Sequence, residues 1–371
     1  MHFKTAGLTV LAALALAACG GGDGPRYQAL VSFGDSLSDV GSYRTPGIAA
    51  LGGGKYTVNG AAQGVWVEQL ATALDLPAPC AAQTGLQATG VFADLAAPVA
   101  DHPACTAYGQ GGSRVTDPIG PWNAALAASP DPAVAFTGQL GQLTVPVATQ
   151  IANHLAAHGG RFTGAELVTV LAGANDLLVH ADAMGAAIAG AANQEQAAAA
   201  VQQTMAAMAQ AATELAQLIR EQIVAKGATR VAVLNLPNVS RTPAMLAAEA
   251  AAPGTQALVD QMTQTFNAAL AAGLQGTQAT VAQIDLYAEN TRQVATPANY
   301  GLTNVTTPAC TNTFPNAPGF LAPSLTCTTA TTLPGQDTSR YLFADTVHPT
   351  PYGHTLLRDM VLAALDARGW R

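Results

Sequence analysis

The sequence predicts an α/β protein in which helices cover both faces of a mostly parallel, five-stranded sheet, forming a three-layer α/β/α sandwich. Short apolar runs alternate along the chain with longer segments that have helical periodicity. Runs such as "ELVTVLAG" and "TRVAVLNLP" show little alternation of polar and apolar residues, which is typical of parallel strands buried on both faces. Right-handed crossovers between such strands produce a single domain of this class.

Five segments are predicted as strands because they are short, apolar or β-branched, and bounded by Gly, Pro or Asn. They cover residues 28–33, 105–108, 166–172, 229–234 and 280–285. Five segments with helical spacing cover residues 65–74, 142–158, 194–226, 256–274 and 351–368. The alanine-rich stretch 185–225 is predicted as one long packed helix with Met205 and Met208 in the core.

Two regions rich in Pro, Gly and Thr, 75–104 and 287–344, are predicted as long loops held by cross-links. The cysteines in or beside these regions are Cys80, Cys105, Cys310 and Cys327. Of the three possible pairings, we favour Cys80–Cys105 with Cys310–Cys327, because each bond closes an irregular loop. A metal site is less favoured because the sequence contains no C-x-x-C pair.

The composition narrows the class of protein. The 371 residues are 49% hydrophobic and only 10% charged, so the chain can bury a large core. The net charge is −8 and no cluster of Lys and Arg is present. Electrostatic binding to nucleic acid or to an anionic lipid surface is therefore not expected.

The N-terminus has the features of a secretory signal. Lys4 precedes an eleven-residue apolar run, 8–18, which is shorter than the ~20 residues that a membrane-spanning helix needs. The "LAAC" sequence that ends at Cys19 resembles a bacterial lipobox, in which the cysteine becomes the acylated first residue. A chance cysteine after an ordinary signal peptide is the alternative, but the glycine-rich segment that follows favours a tethered lipoprotein.

These features divide the chain into a signal peptide with a lipobox (1–19), a flexible tether (20–27) and one folded domain (28–371). They predict an exported protein that is periplasmic, anchored at the outer membrane through the lipid on Cys19, or secreted. Disulfides are typical of such compartments.

The ends of three predicted strands carry chemistry-bearing residues, and ligands of parallel α/β sheets bind at the carboxyl ends of strands. The first strand ends in "GDSL", which contains Ser36. The second ends in "YGQGGSRV", where Gly111 and Gly112 let backbone amides approach a ligand. The third ends in "GAND", which contains Asn175.

Near the C-terminus, "FADTVHPTPYGH" places Asp345 and His348 three residues apart. A carboxylate at this spacing can orient the imidazole, and the imidazole can then remove the proton of Ser36. The backbone amides of Ser36 and Gly111, with the side-chain amide of Asn175, could stabilise the resulting oxyanion. Together these residues supply every role that acyl transfer requires.

The blocks "FGDSLSDVG", "YGQGGS", "GAND" and "DTVHP" are similar to the four signature blocks of the SGNH, or GDSL, hydrolase family, in the same order over about residues 30–360. The resemblance implies a flavodoxin-like α/β/α fold and hydrolysis of esters or thioesters without a metal or other cofactor. It implies Ser36 as the nucleophile and Asp345 and His348 as the other triad members.

The resemblance also implies Gly111 and Asn175 as oxyanion donors, with Gly112 as an alternative to Gly111. Where the family often has Gly-Asn, this chain has Gly41-Ser42, and that difference concerns the loop that faces the substrate.

The function expected from this resemblance is that of an exported serine esterase or lipase acting on a small-molecule or lipid ester. An O-acetyl esterase acting on polysaccharide and a thioesterase remain open, because they need the same residues. The alternative outside enzymes is an inactive lipoprotein that keeps the fold for binding at a surface.

Other polar residues are assigned structural roles. His154 and His158 have a zinc-compatible spacing, but without an H-E-x-x-H motif or a third ligand they are predicted to lie on a solvated helix face. His354 is interpreted as structural. Asp35, Asp39 and Asp176 are expected to stabilise turns or cap helices rather than to act in catalysis.

Overall fold

The structure, a computed structural model, describes residues 27–311 and 324–371. The strands of the described residues are β1 Ala29–Gly34, β2 Gln83–Leu86, β3 Ala97–Asp101, β4 Glu166–Leu171, β5 Val231–Leu234 and β6 Val281–Ile284. The α-helices there are α1 Pro46–Ala50, α2 Trp66–Ala73, α3 Pro132–Gly138, α4 Val147–Ala157, α5 Ala174–Ala189, α6 Gln194–Leu218, α7 Pro243–Ala251, α8 Thr255–Gly273, α9 Leu286–Ala295 and α10 Pro351–Ala367.

The central sheet consists of four parallel strands in the order β1-β4-β5-β6. Strand β4 is buried along its whole length, which explains why its sequence lacks a polar face. Its side chains alternate between two cores: Val168 and Val170 pack towards α6 and α8, whereas Leu167 and Leu171 pack towards α2 and α10. The predicted α/β class and three-layer arrangement are therefore confirmed.

The sheet has four regular strands in the described residues, not the predicted five. The segment 105–108 lies parallel to β1 but forms only isolated bridges, from Ala107 to Ser32 and to Ala81. The backbone N–H of Ser32 donates to Thr106 over 3.0 Å, and that of Tyr108 donates to Ser32 over 2.7 Å. Because Cys105 is bonded to Cys80 at one end and a glycine turn follows at the other, the pairing cannot extend.

The stretch 185–225 is also not a single helix. Helix α5 ends at Gly190, and Asn193 then caps a new helix, α6, by accepting a hydrogen bond from the N–H of Gln196. Asparagine competes well for backbone N–H groups and therefore favours such a start over helix continuation. Met208 is buried, as expected, whereas Met205 is only partly buried.

The predicted loops contain regular structure as well. Strands β2 and β3 form an antiparallel pair within 75–104, and α9 lies within 287–344. Both favoured disulfides are present, with Cα–Cα distances of 5.1 Å for Cys80–Cys105 and 6.0 Å for Cys310–Cys327. They fit an oxidising compartment.

The predicted signal peptide, Cys19 and nearly all of the predicted tether lie outside the described residues. Tyr27, the last residue assigned to the tether, is buried beside β1. Across 27–311 and 324–371, none of the helices combines the length and the apolar character needed to span a membrane.

Candidate active site

Ser36 lies at the carboxyl end of β1, in a short 3₁₀ helix that covers Ser36–Ser38. The chain can turn here because Gly34 lies against β4: a Cβ at this position would be 2.2 Å from the carbonyl oxygen of Leu171. The side-chain amide of Gln150 binds both backbone groups of Gly34, at 2.9 and 2.8 Å. Asp35 then caps the turn by accepting from the N–H of Leu37. The sequence therefore holds the hydroxyl of Ser36 at the sheet edge.

His348 and Asp345 reach Ser36 from the other end of the chain. The Nε2 atom of His348 is 2.9 Å from the Oγ atom of Ser36, although 312 positions separate them. The Nδ1 atom of His348 is 2.7 Å from Oδ2 of Asp345. The three side chains are joined by two hydrogen bonds in series. In this arrangement Asp345 can hold the imidazole with Nδ1 protonated and Nε2 free to accept a proton.

The carboxylate of Asp345 is held in its ionised form. Burial alone would raise its pKa, but the His348 ring and several N–H donors outweigh that effect and lower the pKa of Asp345 below its ordinary value. The donors to Oδ1 are the backbone N–H groups of Val347 and His348, at 2.8 and 2.7 Å. The N–H of Ser324 donates to Oδ2.

The ring of His348 packs against a buried aromatic side chain. The ring centroids of His348 and Tyr56 are 4.9 Å apart, and Tyr56 is fully buried. His354 is buried nearby, and burial lowers its pKa to about 3, so its ring remains neutral.

Asn175 and Gly112 face Ser36 across the same cleft. The side-chain amide of Asn175 donates one hydrogen bond to the carbonyl of Ser113, at 2.9 Å, which leaves its second N–H available. Gly112 has a φ of +79°, and a Cβ there would lie 2.7 Å from the carbonyl oxygen of Pro121. Within the described residues, the backbone N–H groups of Ser36 and Gly112 have no hydrogen-bond acceptor.

Gly111 is arranged differently from its neighbour. Its N–H donates to Oδ2 of Asp39 over 3.0 Å, and Gly111 is not among the residues that line the cleft. Oδ1 of Asp39 accepts from the N–H groups of Gly41 and Ser42, at 2.8 and 2.7 Å. Ser42, at the position where the resemblance suggested Asn, thus helps to hold the carboxylate that binds Gly111.

The remaining carboxylates stabilise the surrounding loops. Burial raises the pKa of Asp35 to about 7 and that of Asp39 to about 6. Asp176 accepts from the side chain of Arg114 and from the N–H of Val115, and burial still raises its pKa. Each carboxylate binds backbone N–H groups, which is the structural role that the sequence suggested for it.

The cleft beyond these polar groups has an apolar wall. Its apolar lining residues include Leu37, Trp122, Ala174, Leu178, Val239 and Val347. Ala174 and Leu178 are one turn apart on α5, so they share a face. This wall is not predictable from the local sequence, because the first part of α5 has no clear apolar periodicity and Trp122 lies in a loop without a recognisable pattern.

His158 is exposed as predicted, whereas His154 is not. The ring of His154 is buried, stacked 4.3 Å from His158 and 4.6 Å from Phe162, and edge-on to Phe33. For His154 the prediction is wrong because α4 packs against β1, and a neutral imidazole fits the aromatic cluster between them. No group of three His, Cys, Asp or Glu side chains within 27–311 and 324–371 could hold a metal ion.

Comparisons with known proteins agree with this geometry. The family model described as GDSL-like lipase/acylhydrolase matches residues 30–360, which include Ser36, Asn175 and His348. A search of the curated proteins found no match. Because the family model covers most of the chain, the protein belongs to the GDSL-like lipase/acylhydrolase family.

Proposed function

We propose that this protein is an exported serine esterase that hydrolyses carboxylic esters through Ser36, His348 and Asp345. The observation that carries the proposal is the 2.9 Å distance between Oγ of Ser36 and Nε2 of His348, with Asp345 bound to the opposite ring nitrogen. A hydroxyl paired with an oriented imidazole is the arrangement that activates serine for attack on a carbonyl. The family supports ester hydrolysis at the coarser level.

The proposed reaction has two halves. Oγ of Ser36 attacks the ester carbonyl while His348 takes its proton, and the tetrahedral intermediate then expels the alcohol, which receives that proton from His348. Water, deprotonated by His348, next attacks the acyl-enzyme; the second tetrahedral intermediate then expels Oγ of Ser36, which regains the proton from His348 as the acid leaves. Asp345 stays ionised throughout and stabilises the imidazolium.

We assign the oxyanion donors as the N–H of Ser36, the N–H of Gly112 and the side-chain amide of Asn175. Gly112 is preferred to Gly111 because Gly112 lines the cleft, whereas the N–H of Gly111 is bound to Asp39. In this assignment Gly111 supports the site indirectly, since its bound N–H holds the loop that presents Gly112.

The apolar wall favours an ester with an aliphatic or aromatic acyl chain. Leu178, Val239 and Val347 offer dispersion contacts to such a chain, and burying it contributes about 0.8 kcal/mol per methylene. An acetyl group would leave most of this wall unused. We therefore rank an esterase or lipase above an O-acetyl esterase acting on polysaccharide, whereas a thioesterase would use the same wall. An inactive lipoprotein that only binds a ligand would not need the two hydrogen bonds that join Ser36, His348 and Asp345.

Active-site labelling tests this proposal. A fluorophosphonate probe should label the purified protein at Ser36, and Ser36→Ala should abolish both labelling and hydrolysis of p-nitrophenyl esters. Ser38→Ala is the matched control, because Ser38 lies in the same turn and is also buried, but the hydrogen bond to His348 comes from Ser36. Labelling elsewhere, or full turnover by Ser36→Ala, would contradict the proposal. A panel of esters with acyl chains of increasing length would then define the substrate class.

The export and anchoring of the protein are part of the proposal. Two disulfides support an oxidising compartment, and the lipobox supports acylation of Cys19. Mass spectrometry of the mature protein should find a lipid on Cys19 as the first residue. A mature chain that starts elsewhere and needs no detergent for extraction would contradict the anchor.

A further inference from the structure

Two of the proposed oxyanion donors come from different parts of the chain. Gly112 lies in the loop after the segment 105–108, and Asn175 lies in the first turn of α5. An oxyanion is stabilised only when its donors are about 3 Å from it at the same time. The distance between these two loops therefore affects oxyanion stabilisation as much as the presence of the donors does.

Three hydrogen bonds join the two loops directly beside the donors. The side-chain amide of Asn175 binds the carbonyl of Ser113 at 2.9 Å. The Nε of Arg114 donates to Oδ1 of Asp176 at 3.1 Å, and the N–H of Val115 donates to Oδ2 of the same carboxylate at 3.0 Å. Each bond lies within three residues of Gly112 on one side and within one residue of Asn175 on the other.

The guanidinium of Arg114 uses its other nitrogens to extend this connection. One terminal nitrogen is 2.8 Å from Oδ2 of Asp117, and the other is 3.3 Å from Nε2 of His180 on α5. The side chain of Arg114 is only 9% exposed, and that of Asp176 is 3% exposed. The planar guanidinium of arginine can bind several partners in fixed directions, which the single ammonium of lysine cannot do.

We propose that Arg114 is a positioning residue that, with Asp176, sets the separation between the N–H of Gly112 and the amide of Asn175. This inference rests on the proposed function and adds to it a residue that touches neither the substrate nor the triad. Losing the guanidinium leaves the two loops joined only by the Asn175–Ser113 bond and by the bond from the N–H of Val115 to Asp176. The donors then shift, and transition-state stabilisation falls more than substrate binding does.

Steady-state kinetics of Arg114→Lys, Asp176→Asn and Arg114→Ala test the inference. We expect kcat to fall about tenfold to a hundredfold while KM changes less than about threefold. The inhibition constant of phenylboronic acid, which forms a tetrahedral adduct with an active serine, should rise by the same factor as kcat/KM falls. Arg220→Lys is the control, because the guanidinium of Arg220 also joins two segments, through the carbonyls of Gly273 and Gln275, but lies on the surface beside α8.

Near-UV circular dichroism and melting curves identify any variant that fails to fold, and Asp176→Asn is nearly isosteric. Wild-type kcat in the folded variants, or a lower kcat with an unchanged boronate inhibition constant, would overturn the role of Arg114 and leave the proposed function intact. A wild-type protein that hydrolyses no ester would overturn the proposed function, and this inference with it.

Discussion

The backbone N–H of Ser324 donates a hydrogen bond to Oδ2 of Asp345, the same oxygen that binds the ring of His348. Ser324 begins a 3₁₀ helix, and its carbonyl accepts from the N–H of Cys327, at 2.9 Å. Cys327 is bonded to Cys310. One disulfide is thus three residues away in sequence from a group that supports the proposed catalytic acid.

Removing this disulfide should therefore reduce activity as well as stability. In a Cys310→Ser/Cys327→Ser variant we expect kcat to fall about tenfold, because Ser324 no longer holds Asp345 in place. The control is Cys80→Ser/Cys105→Ser, whose disulfide closes a loop of similar size but does not contact the triad. Each variant should lose roughly 3 kcal/mol of unfolding free energy. Equal kcat losses in both would show that Ser324 is not responsible.

Asn175 should contribute mainly to the chemical step. We expect Asn175→Ala to lower kcat by about 10²–10³-fold, equivalent to roughly 3–4 kcal/mol, with little change in KM. Asn153→Ala on the exposed side of α4 is the control and should behave as wild type. A rise in KM with an unchanged kcat would instead assign Asn175 to substrate binding.

His154 should make the protein less stable in acid. Burial lowers its pKa from 6.5 to about 4, and the nearby His158 acts in the same direction. Between those pH values the unfolded chain binds a proton that the folded chain does not, so the free energy of unfolding falls as the pH falls from 6.5 to 4. The pKa shift of His154 corresponds to about 3 kcal/mol of unfolding free energy.

Urea unfolding at pH 7.5 and pH 5 can measure this effect in the wild type and in His154→Phe. The variant should lose less stability between the two pH values, whatever its stability at pH 7.5. Asp35 and Asp39, whose pKa values are raised, and His354 titrate in both proteins and cancel in the comparison. His102→Gln, at a partly exposed position, is the control. Identical losses of unfolding free energy in the wild type and in His154→Phe would show that His154 does not cause the loss of stability in acid.

Leu178 should help to set the preferred acyl length. Leu178→Trp fills part of the apolar wall, so we expect kcat/KM to fall at least tenfold for octanoyl esters while acetyl esters are hydrolysed nearly as well as by the wild type. Leu51→Trp, at an exposed position outside the cleft, should leave the chain-length profile unchanged. An equal loss of kcat/KM for short and long esters in Leu178→Trp would show that the acyl chain does not bind against Leu178.

Local sequence patterns predict a strand or helix correctly where one short segment contains all the information that is needed. The strands β1, β4, β5 and β6 were predictable because each is an apolar run bounded by turn-forming residues. The segment 105–108 has the same local pattern, yet it forms only isolated bridges because its neighbours are a disulfide and a glycine turn. Helix α5 was missed because its alanine-rich sequence has a weak apolar periodicity.

Local sequence patterns are enough to predict the α/β class, the four motif blocks and the residue types that acyl transfer needs, because short motifs and hydrophobic periodicity are local properties. The folded chain is needed to show that His348 meets Ser36 and that Gly112, rather than Gly111, lines the cleft. It is also needed to show that Arg114 reaches Asp176. These relationships depend on how distant loops pack at one edge of the sheet, and no local pattern in the chain specifies such distances.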